Sequence, residues 1–128
     1  MIDKRVDDLD AALAGIAAGA TIMISGFGNA GIPANLLRGL GSMGLSGLTV
    51  ILNAVRRLEE SDPVFFADER VDHVITTAFR GPGQETAAFE QQWRDGKLTF
   101  EIVPQGTFVE RIRAGGAGVP AFYTPTAA

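Results

Sequence analysis

Apolar and polar positions alternate along the chain in two different rhythms. Val6, Leu9, Leu13, Ile16 and Ala17 fall at helical spacing, and Asp7 and Asp8 stand where negative charge favours a helix start. They predict a helix over residues 7–18, ended by Gly19. Residues 21–24, Thr-Ile-Met-Ile, read as a buried strand. A second helix is predicted over 34–43, with Leu36, Leu37 and Leu40 as its apolar face and Gly44 and Gly47 beyond its end. Residues 48–52 form a continuous apolar run of the kind found in parallel sheets buried on both faces.

The pattern then becomes harder to read. Leu58 and the Val64-Phe65-Phe66 run are interrupted by Asp62-Pro63, which predicts a loop and a short helix within 56–67. Residues 72–79 are β-branched in their middle and read as a third strand. Residues 80–83, Arg-Gly-Pro-Gly, read as a loop, and 84–95 as a helix with Ala88, Phe89 and Trp93 on one side. A fourth strand is predicted over 98–103, a turn at 104–106, a helix over 107–113, a second glycine-rich loop over 114–118 and an extended end over 119–126.

Strand and helix thus alternate about four times, which is the pattern of βαβ units. The expected fold is α/β: one domain over residues 1–128, an open, mainly parallel sheet of alternating βα units, with helices on both faces. In such a sheet a ligand sits at the carboxyl ends of the strands.

Composition narrows the chemistry. Eleven basic against fifteen acidic residues leave a net charge of −4, with no basic run or basic helix face, so neither nucleic acid nor an anionic membrane is an expected partner. With no cysteine and one histidine, His73, neither thiolate chemistry nor a multi-histidine metal site is expected. The first residues lack the apolar core of a signal peptide, and no apolar run is long enough to span a bilayer, so the expected location is cytoplasmic.

The chemistry-bearing candidates lie at predicted strand ends. Ser25, Gly26, Phe27, Gly28, Asn29, Ala30 and Gly31 follow the first strand and contain G-x-G-x-x-G literally. A glycine turn between strand and helix can bring backbone N–H groups up to an anion or oxyanion. The same pattern serves dinucleotide folds, or it is a tight turn without a ligand. A dinucleotide fold would want an acid near the end of the second strand, where this chain has Asn53; Arg56 and Arg57 could instead serve a 2′-phosphate. Asn53 can offer its amide to a developing oxyanion, or simply cap a turn. Gln105, between Pro104 and Gly106, offers a neutral donor and acceptor or is a polar loop residue. His73 and Trp93 read as structural, and Glu59, Glu60, Glu69 and Glu110 as solvated.

Two longer segments carry a resemblance. GATIMISGFGNAGIP at 19–33 resembles the signature of the A (alpha) subunit of family I coenzyme A transferases. VPQGT at 103–107, followed by ERIRAGGAGVPAFYTPT at 110–126, is similar to the same polypeptide's second hallmark. The 3-oxoacid and 3-oxoadipate transferases are the subtypes it resembles, and residues 79–98 lean towards the 3-oxoadipate type. The resemblance implies a ping-pong acyl exchange. A glutamate carried by a partner B subunit opens an acyl-CoA such as succinyl-CoA, and a glutamyl-CoA thioester then activates the acceptor acid. It further implies that residues 25–31 meet coenzyme A, that Asn53 stabilises the oxyanion and that Gln105 lies beside the substrate carboxylate. Coenzyme A and acyl-CoA would be substrates rather than resident cofactors. The partners would be the B subunit, in a hetero-oligomer, and small carboxylic and 3-oxo acids with their CoA esters.

The chain departs from the family pattern in places. Ser25 stands for a glycine, Ala18 for an Asp or Asn, and Ala54-Val55-Arg56-Arg57 follows Asn53 in place of Asn-Ala-Gly. The sequence given stops at Ala128, short of the family's alpha polypeptide, which reads as a truncated, cleaved or shortened homologue. Three other readings are a non-catalytic CoA-binding or assembly module, an NADP-binding oxidoreductase domain and a CoA-ester hydrolase.

Overall fold

In a computed structural model of the chain, which describes residues 3, 5–28, 30–61, 64–79 and 86–125, the alternating pattern becomes four strands and six helices. In order they are α1 (Leu9–Leu13), β1 (Thr21–Met23), α2 (Ala34–Ser42), β2 (Leu48–Ala54), α3 (Val55–Ser61), α4 (Val64–Ala67), β3 (Val71–Ala78), α5 (Ala88–Arg94), β4 (Thr99–Ile102) and α6 (Gln105–Ala117). The strands lie side by side in chain order, β1-β2-β3-β4, and every pairing is parallel. Ile22, Val50, Val74 and Phe100 share one rung, as do Met23, Ile51, Ile75 and Glu101.

Side chains alternate across a strand, so these two rungs face opposite ways. The face of Val50 and Val74 is the core. Leu37 and Leu40 of α2, Val55 and Leu58 of α3, Phe65 and Phe66 of α4 and Phe89 of α5 pack there with Leu48, Leu52 and Leu98. Crossovers of one hand between strands laid down in order all pass over the same face. The other face receives α6. Phe108, Arg111 and Ile112 line an apolar groove of about 180 Å³ with Met23, Ile51 and Ile75, and Met23 stays half exposed. Among the described residues, helices therefore occupy both faces of the sheet.

Tertiary contacts decided several boundaries that local pattern did not. The helix expected over 7–18 is only α1, capped by Asp8, whose side chain accepts from the Ala11 N–H at 2.7 Å. Past Leu13 the chain has Gly15 and breaks into turns, with Ile16 N–H bonded to Leu13 O and Ala20 N–H to Ala17 O. α1 rests on α2 where Gly39 has no side chain; a Cβ there would meet Leu13 Cδ1 at 2.8 Å. Residues 56–67 carry two short helices on either side of residues 62–63 where one was expected, and α3 begins directly where β2 ends. The Asp62-Pro63 break, the loop expected at 80–83 and the first residues of the helix expected from 84 lie outside the described residues.

α6 replaces both the turn expected at 104–106 and the glycine-rich loop expected at 114–118. Gln105 is its first residue, after Pro104 in an extended conformation. Gly115 and Gly116 have open space where a Cβ would stand, so they stay helical without a packing demand. The true stop is Gly118, at φ 68°, whose N–H bonds back to Ala114 O and Gly115 O.

Nor is Glu59 a solvated side chain. Its Oε1 accepts from the Ala88 N–H at 2.6 Å and the Phe89 N–H at 3.4 Å, capping α5 from α3. Arg56 on α3 lies 3.9 Å from the buried Glu90 of α5, and buried Gln92 donates to Phe66 O. Glu69 pairs with Lys97 and Glu110 with Arg113 at the surface. His73, on β3, has Nδ1 2.7 Å from Thr99 Oγ1, a strand-to-strand contact consistent with a structural role. Trp93 is half exposed and packs edge-on against Phe79, with ring centroids 5.1 Å apart.

Candidate active site

A parallel sheet brings the exits of all its strands to one end. At that end lie the segment after β1, the last residues of β2 and β3, and the start of α6. Ile24 continues the β1 ladder through its N–H to Ile51 O, and the chain then leaves the sheet. Gly26 takes φ 129°, and a Cβ on it would stand 2.7 Å from Ile32 Cγ1, so both backbone and space require glycine here. Phe27 and Ala30 exchange two backbone hydrogen bonds, making a small reversal of the chain before α2. The Ser25 hydroxyl donates to Gly31 O at 2.9 Å and closes the base of this loop. Phe27 is 70% exposed at its turn, an unusual place for a large apolar ring. Asn29 lies outside the described residues.

Pro33 precedes α2 rather than entering its first turn, and the Ala34 N–H is already bonded to Ile32 O. The loop is thus a reversal of its own, not a tight turn leading straight into a helix as in a dinucleotide fingerprint. Arg56, proposed for a 2′-phosphate, is turned towards Glu90; the Arg57 side chain lies outside the described set.

Asn53 is the next-to-last residue of β2, which runs two residues beyond the apolar run 48–52. It lines a small cavity of about 20 Å³ together with Ser25, Gly26, Gly28, Ile32 and Leu58. A space of that size holds about one water. Gln105 reaches the same place from α6, with Nε2 3.5 Å from Asn53 Oδ1. The structure therefore brings together Ser25, Gly26, Gly28, Asn53 and Gln105, which stand up to 80 residues apart in the chain. Gly31 joins them through Ser25, and Phe27 and Ala30 form the outer turn.

Two residues at this end were not foreseen. Thr77 Oγ1 lies 2.8 Å from Asn53 Oδ1 and 2.7 Å from Asn53 O, and Thr76 Oγ1 lies 3.1 Å from Asn53 O. The Thr-Thr pair is visible in the sequence, but its place beside Asn53 depends on strand register. Among the described residues, the polar groups gathered here are amides, hydroxyls and backbone. The groups with shifted titration sit elsewhere, at the surface: a hydrogen bond to Glu69 raises Lys97, and one from Arg113 lowers Glu110. Uncharged donors in fixed positions suit a charge that appears during a reaction rather than a standing ion.

The loop invites a direct test. Gly26→Ala is expected to cost about 1–3 kcal/mol through its positive φ and the contact with Ile32. Gly15→Ala, which meets nothing within 4 Å, should be close to neutral. Urea unfolding of the two variants checks the contrast.

The protein-family model described as Coenzyme A transferase matches residues 6–128. The chain belongs to the coenzyme A transferase family. Among its curated members, the A subunit of 3-oxoadipate CoA-transferase from Pseudomonas putida is 37% identical over 126 residues, covering 98% of this chain and 54% of that protein. The A subunit of succinyl-CoA:3-ketoacid coenzyme A transferase from Xanthomonas campestris pv. campestris is 44% identical over 124 residues, covering 96% and 50%. A mitochondrial succinyl-CoA:3-ketoacid coenzyme A transferase of Rattus norvegicus, 2A, is 44% identical over 115 residues, covering 90% of this chain and 21% of that protein. The chain thus spans about half the length of the bacterial relatives it matches.

Among solved structures, a variant of the decarboxylase AibA/AibB superposes with a TM-score of 0.77 at 23% identity, over 96% of this chain and 47% of that one. That likeness speaks to the fold alone. That neighbour is a decarboxylase, so the fold does not dictate the reaction. Among the described residues no helix is long and apolar enough to cross a membrane, and no group of acidic or histidine side chains could hold a metal ion.

Proposed function

We propose that this chain supplies the alpha half-site of a 3-oxoacid CoA-transferase, with 3-oxoadipate or acetoacetate as the acceptor class and succinyl-CoA or another acyl-CoA as donor. The single observation carrying this reading is that Asn53, Gln105 and the Ser25, Gly26 and Gly28 part of the glycine loop meet at one end of the sheet. Membership of the family supports it.

The chemistry asked of the site is acyl exchange. A glutamate of the partner B subunit uses a carboxylate oxygen to attack the thioester carbonyl; the C–S bond breaks and CoA leaves as a thiolate. The thiolate then attacks the glutamyl carbonyl of the resulting anhydride, freeing the first acid and leaving a glutamyl-CoA thioester. The acceptor carboxylate attacks that thioester, and the two steps run in reverse to give the new acyl-CoA. Each attack puts negative charge on a carbonyl oxygen. Asn53 Nδ2 is the donor proposed to meet that charge. Gln105 is proposed to hold the substrate carboxylate, and residues 25–31 to lie against coenzyme A, with Phe27 offering an apolar surface to its pantetheine arm. None of the glutamates of this chain acts as nucleophile.

Co-expression with a cognate B subunit, followed by assay of CoA transfer from succinyl-CoA to 3-oxoadipate and to acetoacetate, tests the reading. Transfer to either acid is the expected result. CoA-ester binding without transfer, measured by calorimetry, would replace it with a binding module. Hydrolysis without an acceptor would point to a thioester hydrolase, and NADPH binding without CoA binding to an oxidoreductase domain.

A further inference from the structure

An amide helps an oxyanion only when its N–H₂ end faces it, and a side-chain amide can turn over. In this structure the neighbours of Asn53 gather at its Oδ1 end. Its Oδ1 has Thr77 Oγ1 at 2.8 Å and the more distant Gln105 Nε2 at 3.5 Å. The Thr77 hydroxyl has one proton and two acceptors within reach, Asn53 O at 2.7 Å and Asn53 Oδ1. Asn53 O has a second donor within reach in the buried Thr76 hydroxyl, 3.1 Å away with Ala78 O as its other acceptor at 3.2 Å; when Thr76 serves Asn53 O, the proton of Thr77 can be given to Oδ1. An amide whose oxygen accepts a hydrogen bond is also polarised, and its N–H groups become better donors.

Resting on the transferase reading above, we propose that Thr77 is a positioning residue for the reaction. Its hydroxyl holds Asn53 Oδ1 against β3, and this leaves Asn53 Nδ2 directed to the reacting carbonyl. Gln105 adds a second, weaker hold on the same oxygen, so that both predicted amides and Thr77 form one orienting chain. Thr77 itself touches neither substrate nor coenzyme. Its partner is the residue that does.

The test uses Thr77→Val, which keeps the branched shape and removes the hydroxyl, Thr77→Ser, which restores the hydroxyl, and Thr77→Ala in case valine prevents folding. In the complex with the B subunit, Thr77→Val should lower kcat about tenfold, the worth of roughly one hydrogen bond, with KM for the acyl-CoA little changed. Thr77→Ser should return kcat to within about twofold of the parent. A purely structural role would lower the melting temperature without splitting kcat from KM in this way. A second readout needs no turnover: the side-chain amide ¹⁵N–¹H signals of Asn53 in the intact chain, assigned by their loss in Asn53→Asp. The parent and Thr77→Ser should show one dispersed pair, and Thr77→Val and Thr77→Ala an averaged or doubled set. An unchanged Asn53 amide in the valine and alanine variants, or serine as impaired as valine, overturns the proposal. If Thr77 orders the amide but the complex transfers no CoA, the positioning stands and the transferase reading falls.

Discussion

Asn53→Ala should lower kcat of the reconstituted two-polypeptide enzyme by about 10²–10³-fold while leaving KM for the acyl-CoA nearly unchanged. On the proposed function the amide acts where charge develops, so its loss raises the barrier more than it weakens ground-state binding. Asn53→Asp should be at least as damaging, because a carboxylate would face the oxyanion with like charge and accept where a donor is needed. Steady-state kinetics with purified complex decide the matter, with the melting temperature as a folding control. Equal loss through KM alone would assign Asn53 to substrate binding instead.

Phe89→Ala should be the most destabilising of the single changes considered for this chain, at about 3–5 kcal/mol. Phe89 is fully buried, lies in the first turn of a helix capped by Glu59, and meets three other rings: Phe66 at 5.7 Å, Phe79 at 5.7 Å and Phe100 at 6.0 Å between centroids. Truncation removes the transfer free energy of the ring and the edge-to-face contacts, and leaves a cavity between α5, α4 and the sheet. A fall in melting temperature of roughly 10–20 °C is expected for a domain of this size. Thermal unfolding by circular dichroism measures it, and a shift of only a few degrees would mean the ring cluster contributes little.

Much of this fold could be read without coordinates because its strands are short apolar runs with polar or glycine ends. Leu48, Val50 and Leu52 announce a buried strand on their own, and Asn53 marks the end at which a parallel sheet gathers ligands. Gln105 could be paired with Asn53 for the same reason. What stayed hidden depended on partners distant in sequence. Glu59 looked solvated because its role is to cap a helix 29 residues later. Gly115 and Gly116 looked like a loop because glycine disfavours helices, yet α6 is held by buried Phe108 and Ala114 and stopped by Gly118. Thr77 gave no sign because its meaning lies in the register of β2 on β3, which the period-two pattern of a strand does not reveal.

The strand order has a bearing on how the molecule is made. Each strand pairs with the one synthesised just before it, with helix in every connection between them. A chain emerging from its N-terminus therefore meets a ready edge at every stage, and no early segment has to wait for a late one to complete the four-strand sheet. Short loops to close, and few alternative pairings to undo, favour rapid folding despite parallel geometry, which is otherwise slow to assemble.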